Sequence, residues 1–422
     1  MPIIKTAKQF PSSTQAYKPT DKLPYLAWWE QFKDPELNNL IQCGLSNNAD
    51  IHIALGHLEQ ARGELSQVKL SWLPNLEVLA GYSTNPALGI PGAFIGAWPI
   101  YLINIAKQMK SQERAKYQLE YVNAMMEGVR LSIIGQVAAS YFTLIALEEQ
   151  LSLLNTLHND MKKLTTLARK DIVIGLKNKV DLAPYLVDDS QISAEITLIE
   201  NDLVITQNAL RFLINTNPGK IKNKPNFSSI NFNSIKPGSL PATVLQNRPD
   251  LKMAEYALRR SYAGVTIAYS NFFPSLQLDQ FIGEGNHPTN TLEEMTDSYL
   301  TWTISPSTFG QIKARKGAYK AETAKFIKKT YEILKEVDND FSTNNKVTAF
   351  YFDMEKAKSD YQKKYILQQG LLKNGLISYK DLLSSKIALD KLAITQNQAK
   401  LKLALSLVTL YQDLAGGYKN SA

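Results

Sequence analysis

Apolar side chains recur at alternating three- and four-residue steps along much of this chain, which is the spacing of a helical heptad seam. The clearest run covers residues 119–154 and predicts a helix whose packed face is about 54 Å long, at about 1.5 Å per residue. Its members are Leu119, Val122, Met126, Val129, Ile133, Val137, Leu144, Leu147, Leu151 and Leu154. After Gly375, two sets of apolar positions lie on one helix, which therefore packs on two sides, as in a closed cylinder of helices. These sets are Ile387, Ile394, Leu401 and Val408, and Leu389, Leu403 and Leu410.

An uncharged segment lies between two of the predicted helices: no charged residue occurs between Glu77 and Lys107. The 29 residues from Val78 to Ala106 are long enough for a membrane helix, but glycine and proline interrupt them repeatedly. The interrupting residues are Gly89, Pro91, Gly92, Gly96 and Pro99, and Asn85-Pro86 is typical of a turn. Each break in a helix leaves backbone N–H and C=O groups without a hydrogen-bond partner, and lipid cannot supply one. A hairpin of a membrane β-barrel is therefore favoured over a buried helix.

The chain repeats itself at an offset of 200 residues. The matches keep one register without a gap over about 165 positions, which indicates a duplicated unit. The pairs include Leu45 and Leu245, Asn47 and Asn247, Asp50 and Asp250, Pro74 and Pro274, Gly175 and Gly375, Leu176 and Leu376, and Asp181 and Asp381.

Each of the two repeats is predicted to contain a helix, a β-hairpin and two long helices. The first helix begins near Asn47 or Asn247 and ends before a proline. The strands of the two hairpins are predicted at residues 75–83, 93–102, 275–282 and 299–309. The long helices turn at tips near Gly175 and Gly375. The segments in order are an N-terminal part at 1–46, a first repeat at 47–214, a linker at 215–246, a second repeat at 247–414 and a tail at 415–422.

Composition excludes several classes of protein. The chain has 422 residues, of which 44% are apolar and 20% charged, as in an ordinary folded protein. A net charge of +8, spread along the chain without a run of lysine and arginine, is too low to indicate a nucleic-acid-binding surface. A single cysteine, Cys43, excludes a disulfide framework. Residues 1–6 show no apolar signal-peptide core, so either the chain is cytoplasmic or a targeting segment has been removed.

No catalytic, metal or cofactor site is predicted. The four histidines are scattered, and His52 and His57 are five residues apart, which is not the spacing of a metal pair on a helix. Gly283 and Gly285 lack the strand–helix context of a nucleotide site. Arg248-Pro249-Asp250 is best interpreted as a helix start.

Several segments together resemble the TolC-like outer-membrane efflux proteins. The similarity is greatest to the lipoprotein branch that serves as the outer-membrane factor of RND-type multidrug pumps. The segments are Trp28–Leu37, Asn48–Ile51, Gln60–Arg62, Arg248–Leu251, Phe272–Pro274 and Gly375–Leu383.

The resemblance implies a mainly α protein with a membrane β-barrel. Each chain of a homotrimer would contribute four strands to a twelve-stranded barrel in the outer membrane. The long helices would form an α-helical barrel through the periplasm, and the linker would lie in an equatorial belt. The implied function is passive export of small amphipathic compounds or drugs.

The resemblance also implies roles for individual residues. Gly175, Leu176, Gly375 and Leu376 would form the helix-tip turns that contact a periplasmic adaptor or an inner-membrane pump. Asp381 would set the charge of the pore gate, although an aspartate after such a turn usually caps a helix or is solvated. A second acidic position of the family is Ser384 in this chain.

The chain departs from the family pattern at two places. Cys43 lies inside a predicted helix and is not the lipidated N-terminal cysteine of the family, but Tyr17-Lys18-Pro19 looks like the segment that follows the lipid anchor, so a leader that carries this cysteine is expected to have been removed. The first hairpin also lacks the Asp-x-Phe-Gly corner and has Tyr101–Ile105 there.

Two alternatives remain at the level of sequence. One is the outer-membrane duct of a type I protein secretion system. The other is a soluble, elongated coiled-coil structural protein, although such a rod would not need uncharged hairpins rich in glycine and aromatic residues.

Overall fold

The computed structural model of this chain describes residues 11–12, 27–83, 92–221, 227–232, 245–246, 248–287, 289–303 and 305–414. For residues 285–287 and 289–295 it describes the backbone alone. Several predicted features lie outside the described residues: the turn at Asn85-Pro86 with Gly89 and Pro91, the segment Tyr17-Lys18-Pro19, Asn247, and the tail at 415–422.

Seven α-helices and four β-strands make up most of the described chain. The helices are α1 (Pro35–Asn47), α2 (Ala49–Leu70), α3 (Ile105–Val173), α4 (Ala183–Leu213), α5 (Pro249–Ser270), α6 (Ser307–Lys373) and α7 (Tyr379–Asp413). The strands are β1 (Asn75–Ser83), β2 (Gly92–Ile103), β3 (Ser275–His287) and β4 (Thr289–Thr301). Short 3₁₀ turns occur at Trp28–Phe32, Val180–Leu182 and Phe227–Ser229. The predicted fold class, mainly helical with two hairpins per chain, is confirmed.

The helix starts follow from local capping chemistry. The Asn48 Oδ1 atom accepts a hydrogen bond of 2.9 Å from the Asp50 amide at the start of α2. In the second repeat, α5 begins directly at Pro249, with Asp250 in its first turn, as the interpretation of Arg248-Pro249-Asp250 expected. Arg248 itself is buried, and its Nη1 atom donates to the Asp413 carbonyl oxygen at 2.6 Å.

The prediction of the fourth strand at 299–309 is wrong. The strand β4 instead covers Thr289–Thr301, and Phe309 lies in the first turn of α6. This strand does not share the uncharged pattern of the first hairpin, because it carries Glu293, Glu294 and Asp297. Glu293 and Glu294 are consecutive, so the acidic residues of β4 occupy both alternating sets of positions along the strand.

Two compact units are distinguished by their internal contacts. Unit 1 comprises residues 1–4, 53–126 and 249–331, and unit 2 comprises residues 5–52, 127–248 and 332–422. Each unit therefore takes a segment from each repeat.

Unit 1 contains one antiparallel sheet with the strand order β1-β2-β3-β4. The two hairpins are joined edge to edge through β2 and β3, where Gly96 lies opposite Gly283. A Cβ atom on Gly283 would lie 2.5 Å from the Ile95 carbonyl oxygen, and one on Gly96 would lie 2.6 Å from the Phe281 ring. Glycine is therefore required at both positions.

Unit 2 is held together by helix packing and an aromatic cluster. The Trp28 ring stacks on Tyr411 with centroids 5.3 Å apart, and Phe32, Phe142 and Phe232 pack edge to face beside them. Five predicted seam residues of unit 2 are buried: Ile133, Val137, Leu144, Leu147 and Leu154; the seam residues Val122 and Met126, in unit 1, are buried as well.

One described helix, α3, is long and apolar enough in part to cross a membrane. More than half of the apolar window is buried inside the protein, as in a packed core helix.

Candidate functional site

The first helix tip of unit 2 is a tight turn at the end of α3. Gly175 has φ +77°, a left-handed conformation that side chains with a Cβ atom adopt only at a cost. The Gly175 amide donates to the Ile172 carbonyl oxygen at 3.0 Å, and the Leu176 amide donates to the Asp171 carbonyl oxygen at 2.9 Å. This pair of bonds is a Schellman motif, which satisfies the last carbonyl groups of the helix.

The second tip repeats this geometry at the end of α6. Gly375 has φ +73°, its amide donates to Leu372 at 3.0 Å, and the Leu376 amide donates to Leu371 at 2.9 Å. The predicted tip turns at Gly175 and Gly375 are therefore present, and the duplication extends to their hydrogen bonds.

A reciprocal cap follows each turn. In the first repeat the Asp181 amide donates to Asn178 Oδ1 at 3.1 Å, and the Asn178 amide donates to Asp181 Oδ2 at 3.0 Å. In the second repeat the Asp381 amide donates to Ser378 Oγ at 3.1 Å, and the Ser378 amide donates to Asp381 Oδ2 at 3.2 Å. Asp381 is therefore a capping residue of α7.

The Asp381 carboxylate is nevertheless exposed and charged. The Ser378 hydroxyl donates to Asp381 Oδ2 at 2.6 Å, and this bond and the Ser378 amide hold the pKa of Asp381 below its ordinary value of 3.8. Ser384, the position of a second family acid, donates its hydroxyl proton to the Lys380 carbonyl oxygen at 2.9 Å. Of the two acidic positions that the sequence resemblance implies, Asp381 is acidic in this chain and Ser384 is not.

Both tips expose apolar side chains. Leu176 is 72% exposed and Leu376 is 69% exposed, and Val173, Ile174 and Val180 add further exposed apolar surface at the first tip. Apolar side chains that are exposed next to one another are typical of surfaces that bind a partner.

An ion pair joins the two tips. Lys380 Nζ, at the start of α7, lies 2.7 Å from Asp171 Oδ2, in the last turn of α3, and 5.5 Å from the centroid of the Tyr185 ring on α4. The hydrogen bond to Asp171 raises the pKa of Lys380. Sequence reasoning missed this contact, because none of these three residues belongs to a repeated motif.

Behind the tips, α3, α4 and α7 share a hydrophobic core. Its buried members are Leu147, Leu154, Leu157, Met161, Leu164, Ile192, Ile199, Leu383, Ile387 and Ile394. The tip turns therefore stand on a packed base of three helices.

Among the residues that the structure describes, no group of three or more His, Cys, Asp or Glu side chains could hold a metal ion. Cys43 lies in α1, as predicted, with its thiol 3.8 Å from Asn39 Oδ1.

Comparison with known proteins agrees with these features. The model of the family described as "Outer membrane efflux protein" matches residues 40–216 and again residues 240–416, a displacement of 200 residues. The chain belongs to the outer membrane efflux protein family. The resemblance inferred from the sequence is thereby confirmed, and the protein is an outer-membrane transport channel and not an enzyme.

Individual relatives are distant but match over nearly their full length. The "Probable outer membrane lipoprotein SilC" of Salmonella typhimurium is 21% identical, over 93% of this chain and 88% of that protein. The "Antibiotic efflux pump outer membrane protein ArpC" of Pseudomonas putida is 24% identical, over 99% of this chain and 91% of that protein. The open-state structure of the Neisseria gonorrhoeae MtrE outer membrane channel superposes with a TM-score of 0.84 at 21% identity, covering 99% of this chain and 96% of that one.

Proposed function

We propose that this outer-membrane efflux protein acts as a homotrimer, a passive duct that is gated at its helix tips and exports small amphipathic compounds. The observation that carries the proposal is the four-stranded sheet of unit 1. Among the described residues, β1 pairs only with β2, and β4 pairs only with β3. Both outer strands therefore leave backbone groups unpaired within one chain.

Such edges are incompatible with lipid unless the sheet closes. Hydrocarbon offers no hydrogen-bond partners, so only closed barrels span membranes as β-structure. The smallest membrane barrels have about eight strands, and four strands are too few. Three copies of this sheet supply twelve strands, the number that the TolC-like resemblance implies.

One face of the sheet suits contact with lipid. The pairing register places a set of exposed large apolar residues on the same face. The set consists of Leu76, Val78, Tyr82, Ile95, Leu276, Leu278, Ile282 and Leu300. The strands are 9 to 13 residues long, and a tilted membrane strand needs about 9–11.

The gate is assigned to the helix tips of unit 2. Exposed Leu176 and Leu376 offer apolar contacts to a periplasmic adaptor or an inner-membrane pump, and Gly175 and Gly375 hold them on tight turns. Asp381 supplies a fixed negative charge, which favours cations at a narrow entrance. The Lys380–Asp171 ion pair holds the two tips together in the closed state.

The choice of cargo follows the drug-pump branch of the resemblance. In its support, ArpC carries the name of an antibiotic efflux pump protein. The secretion-duct alternative would require a polypeptide cargo instead.

The test is purification of the full chain, produced with an outer-membrane targeting segment, and reconstitution in planar lipid bilayers. A trimer that resists sodium dodecyl sulfate until it is heated, and that forms discrete ion channels, is the expected result. A monomer that stays soluble without detergent would overturn the duct. Drug-sensitive cells that lack their own outer-membrane factor should regain resistance when the chain is produced together with its cognate pump.

A further inference from the structure

Three arginine side chains from three helices of unit 1 converge at one place. Arg114 lies on α3, Arg260 on α5 and Arg315 on α6. Arg114 and Arg260 line the same cavity of about 400 Å³. The Cδ atom of Arg315 lies 3.9 Å from the position that a Cβ atom would take on Gly264, one turn along α5 from Arg260. We call these three residues the arginine cluster.

The arginine cluster has no carboxylate of its own. Within the described part of the chain, no acidic oxygen lies within 4.0 Å of a nitrogen atom of these three side chains. The neighbouring acids are paired elsewhere: Glu113 with Lys110 at 2.7 Å, Glu255 with Arg259 at 2.6 Å, and Glu322 with Lys325 at 2.8 Å. Partial burial, followed by the positive charges of Arg315 and Arg260, lowers the pKa of Arg114.

The remaining contacts of the cluster leave donors available. Arg260 donates to Gln118 Oε1 through Nη1, and its guanidinium lies 5.3 Å from the centroid of the Tyr121 ring. Both contacts orient the group, and within the described part of the chain they occupy a minority of its five N–H donors. Gln67 and Ser111 line the same cavity and can donate further hydrogen bonds, and the one carboxylate there, Glu64, accepts from Gln60 at 2.9 Å.

The chemistry of these groups selects an oxyanion. A guanidinium cannot release its proton in a protein, so converging arginines are neutralised by a counter-charge. The planar fork of each guanidinium fits two oxygens of a phosphate or a carboxylate. Three such forks, with amide and hydroxyl donors beside them, favour a doubly charged oxyanion over a single carboxylate.

The level of the cluster favours a water-soluble anion over a lipid headgroup. Each arginine lies about ten residues from the strand end of its helix, which corresponds to roughly 12–16 Å at about 1.5 Å per residue. The headgroup layer on each side of a bilayer is only about 5–8 Å thick. The cluster therefore lies beyond the phosphates of the membrane that surrounds the sheet.

We propose that Arg114, Arg260 and Arg315 form a binding site for a water-soluble oxyanion of the phosphate class. The site does not depend on the gate or on the cargo proposed above. A protein that failed to conduct ions would still bind phosphate if the site exists.

The test uses the full chain in a non-ionic detergent and inorganic phosphate as the probe. Binding is measured by isothermal titration calorimetry at pH 7.5, with the ionic strength held constant by potassium chloride. We expect saturable binding in the range of roughly 0.1–1 mM, since the cluster is partly solvated. Arg114→Gln and Arg260→Gln should each weaken binding at least tenfold.

Two further variants make the test specific. Glu64→Gln removes the one negative charge in the cavity and should tighten phosphate binding several-fold, an effect opposite in sign to the losses above. Arg259→Gln, on the same helix as Arg260 but paired with Glu255, should leave the affinity unchanged. Far-ultraviolet circular dichroism verifies that each variant is folded.

Three outcomes would overturn the proposal. The first is no saturable binding to the wild-type protein. The second is binding that Arg259→Gln weakens as much as Arg260→Gln does. The third is tighter binding of short-chain phosphatidic acid than of phosphate with the same dependence on Arg114, which would assign the cluster to lipid headgroups.

Discussion

Lys380 Nζ lies 2.7 Å from Asp171 Oδ2, and this ion pair links the start of α7 to the end of α3. The two side chains are 22% and 27% exposed, so their attraction is only partly screened by solvent. If the tips form the gate, Lys380→Gln should favour the open state. A loss of about 1 kcal/mol changes the ratio of open to closed tips about fivefold.

Single-channel recording in planar bilayers measures this change. Lys363→Gln is the matched control, because Lys363 pairs at 3.0 Å with Asp360 inside the single helix α6. We expect higher mean conductance for Lys380→Gln and no change for Lys363→Gln. Equal conductance of the two variants would show that the ion pair does not hold the gate.

Asp381 and Asp181 make the same cap and therefore separate capping from pore charge. Replacement of either residue by alanine should cost about 1 kcal/mol of helix stability, because it removes the carboxylate that accepts a hydrogen bond from the amide of Asn178 or Ser378. Only Asp381→Ala should also lower the cation selectivity and widen the entrance. The reversal potential under a potassium chloride gradient reports the selectivity, and unchanged selectivity and conductance in Asp381→Ala would contradict a gate at this residue.

The same measurement has a predicted dependence on pH. Because hydrogen bonds from Ser378 lower the pKa of Asp381 below 3.8, its carboxylate remains charged at pH 4.5. Cation selectivity that depends on Asp381 should therefore persist at pH 4.5 and decline only at more acidic pH.

The glycine pair between β2 and β3 predicts a strict limit on side-chain size. In Gly283→Ala the new methyl group would lie 2.5 Å from the Ile95 carbonyl oxygen, so the two hairpins must separate locally. We expect a loss of about 1–3 kcal/mol and much less heat-stable trimer on gels. Gly317→Ala in α6 is the control, since its methyl group would meet open space. Equal trimer yields from the two variants would argue against tight packing at this pair.

The buried position of Lys400 leads us to expect that the free energy of unfolding increases as the pH rises above about 8. Lys400 is 8% exposed, its Nζ atom donates to the carbonyl oxygens of Phe227 at 2.8 Å and Ser228 at 2.7 Å, and burial lowers its pKa to about 8. The unfolded chain keeps this proton up to about pH 10.5, whereas the folded chain releases it above about pH 8. The free energy of unfolding should therefore gain about 3 kcal/mol from this group between those pH values.

Urea unfolding in detergent, followed by circular dichroism from pH 8 to 10.5, tests this slope. The free energy of unfolding of the wild type should rise between pH 8 and 10.5 relative to that of Lys400→Met. Lys402→Met, at an exposed position on the same helix, is the control and should show the same rise as the wild type. A Lys400→Met profile parallel to that of the wild type would refute the assignment.

The sequence predicted those parts of the fold that depend on local chemistry. The strands β1 and β2 could be found because their segment is uncharged from Val78 onward, and the tips because glycine adopts a positive φ, as Gly175 and Gly375 do, more readily than other residues. The strand β4 was misplaced because it carries Glu293, Glu294 and Asp297 and so lacks the uncharged pattern on which the prediction rested.

Contacts between distant segments could not be predicted in the same way. Lys380 and Asp171 are 209 residues apart, which does not match the 200-residue offset, so the repeat gave no sign of their pairing. Arg114, Arg260 and Arg315 are each unremarkable on their own helices and gain meaning only when three helices bring them together.

The helices that follow the two tips have diverged in what they bury. Within one chain, α4 buries four of its residues and α7 buries seventeen. Substitutions at about half of the positions along α7 therefore disturb the packed core of one chain, whereas few positions along α4 do so. Within one chain α4 leaves large apolar side chains exposed, among them Leu198, Val204 and Ile205, and these are the surface that a neighbouring copy would cover in the proposed trimer.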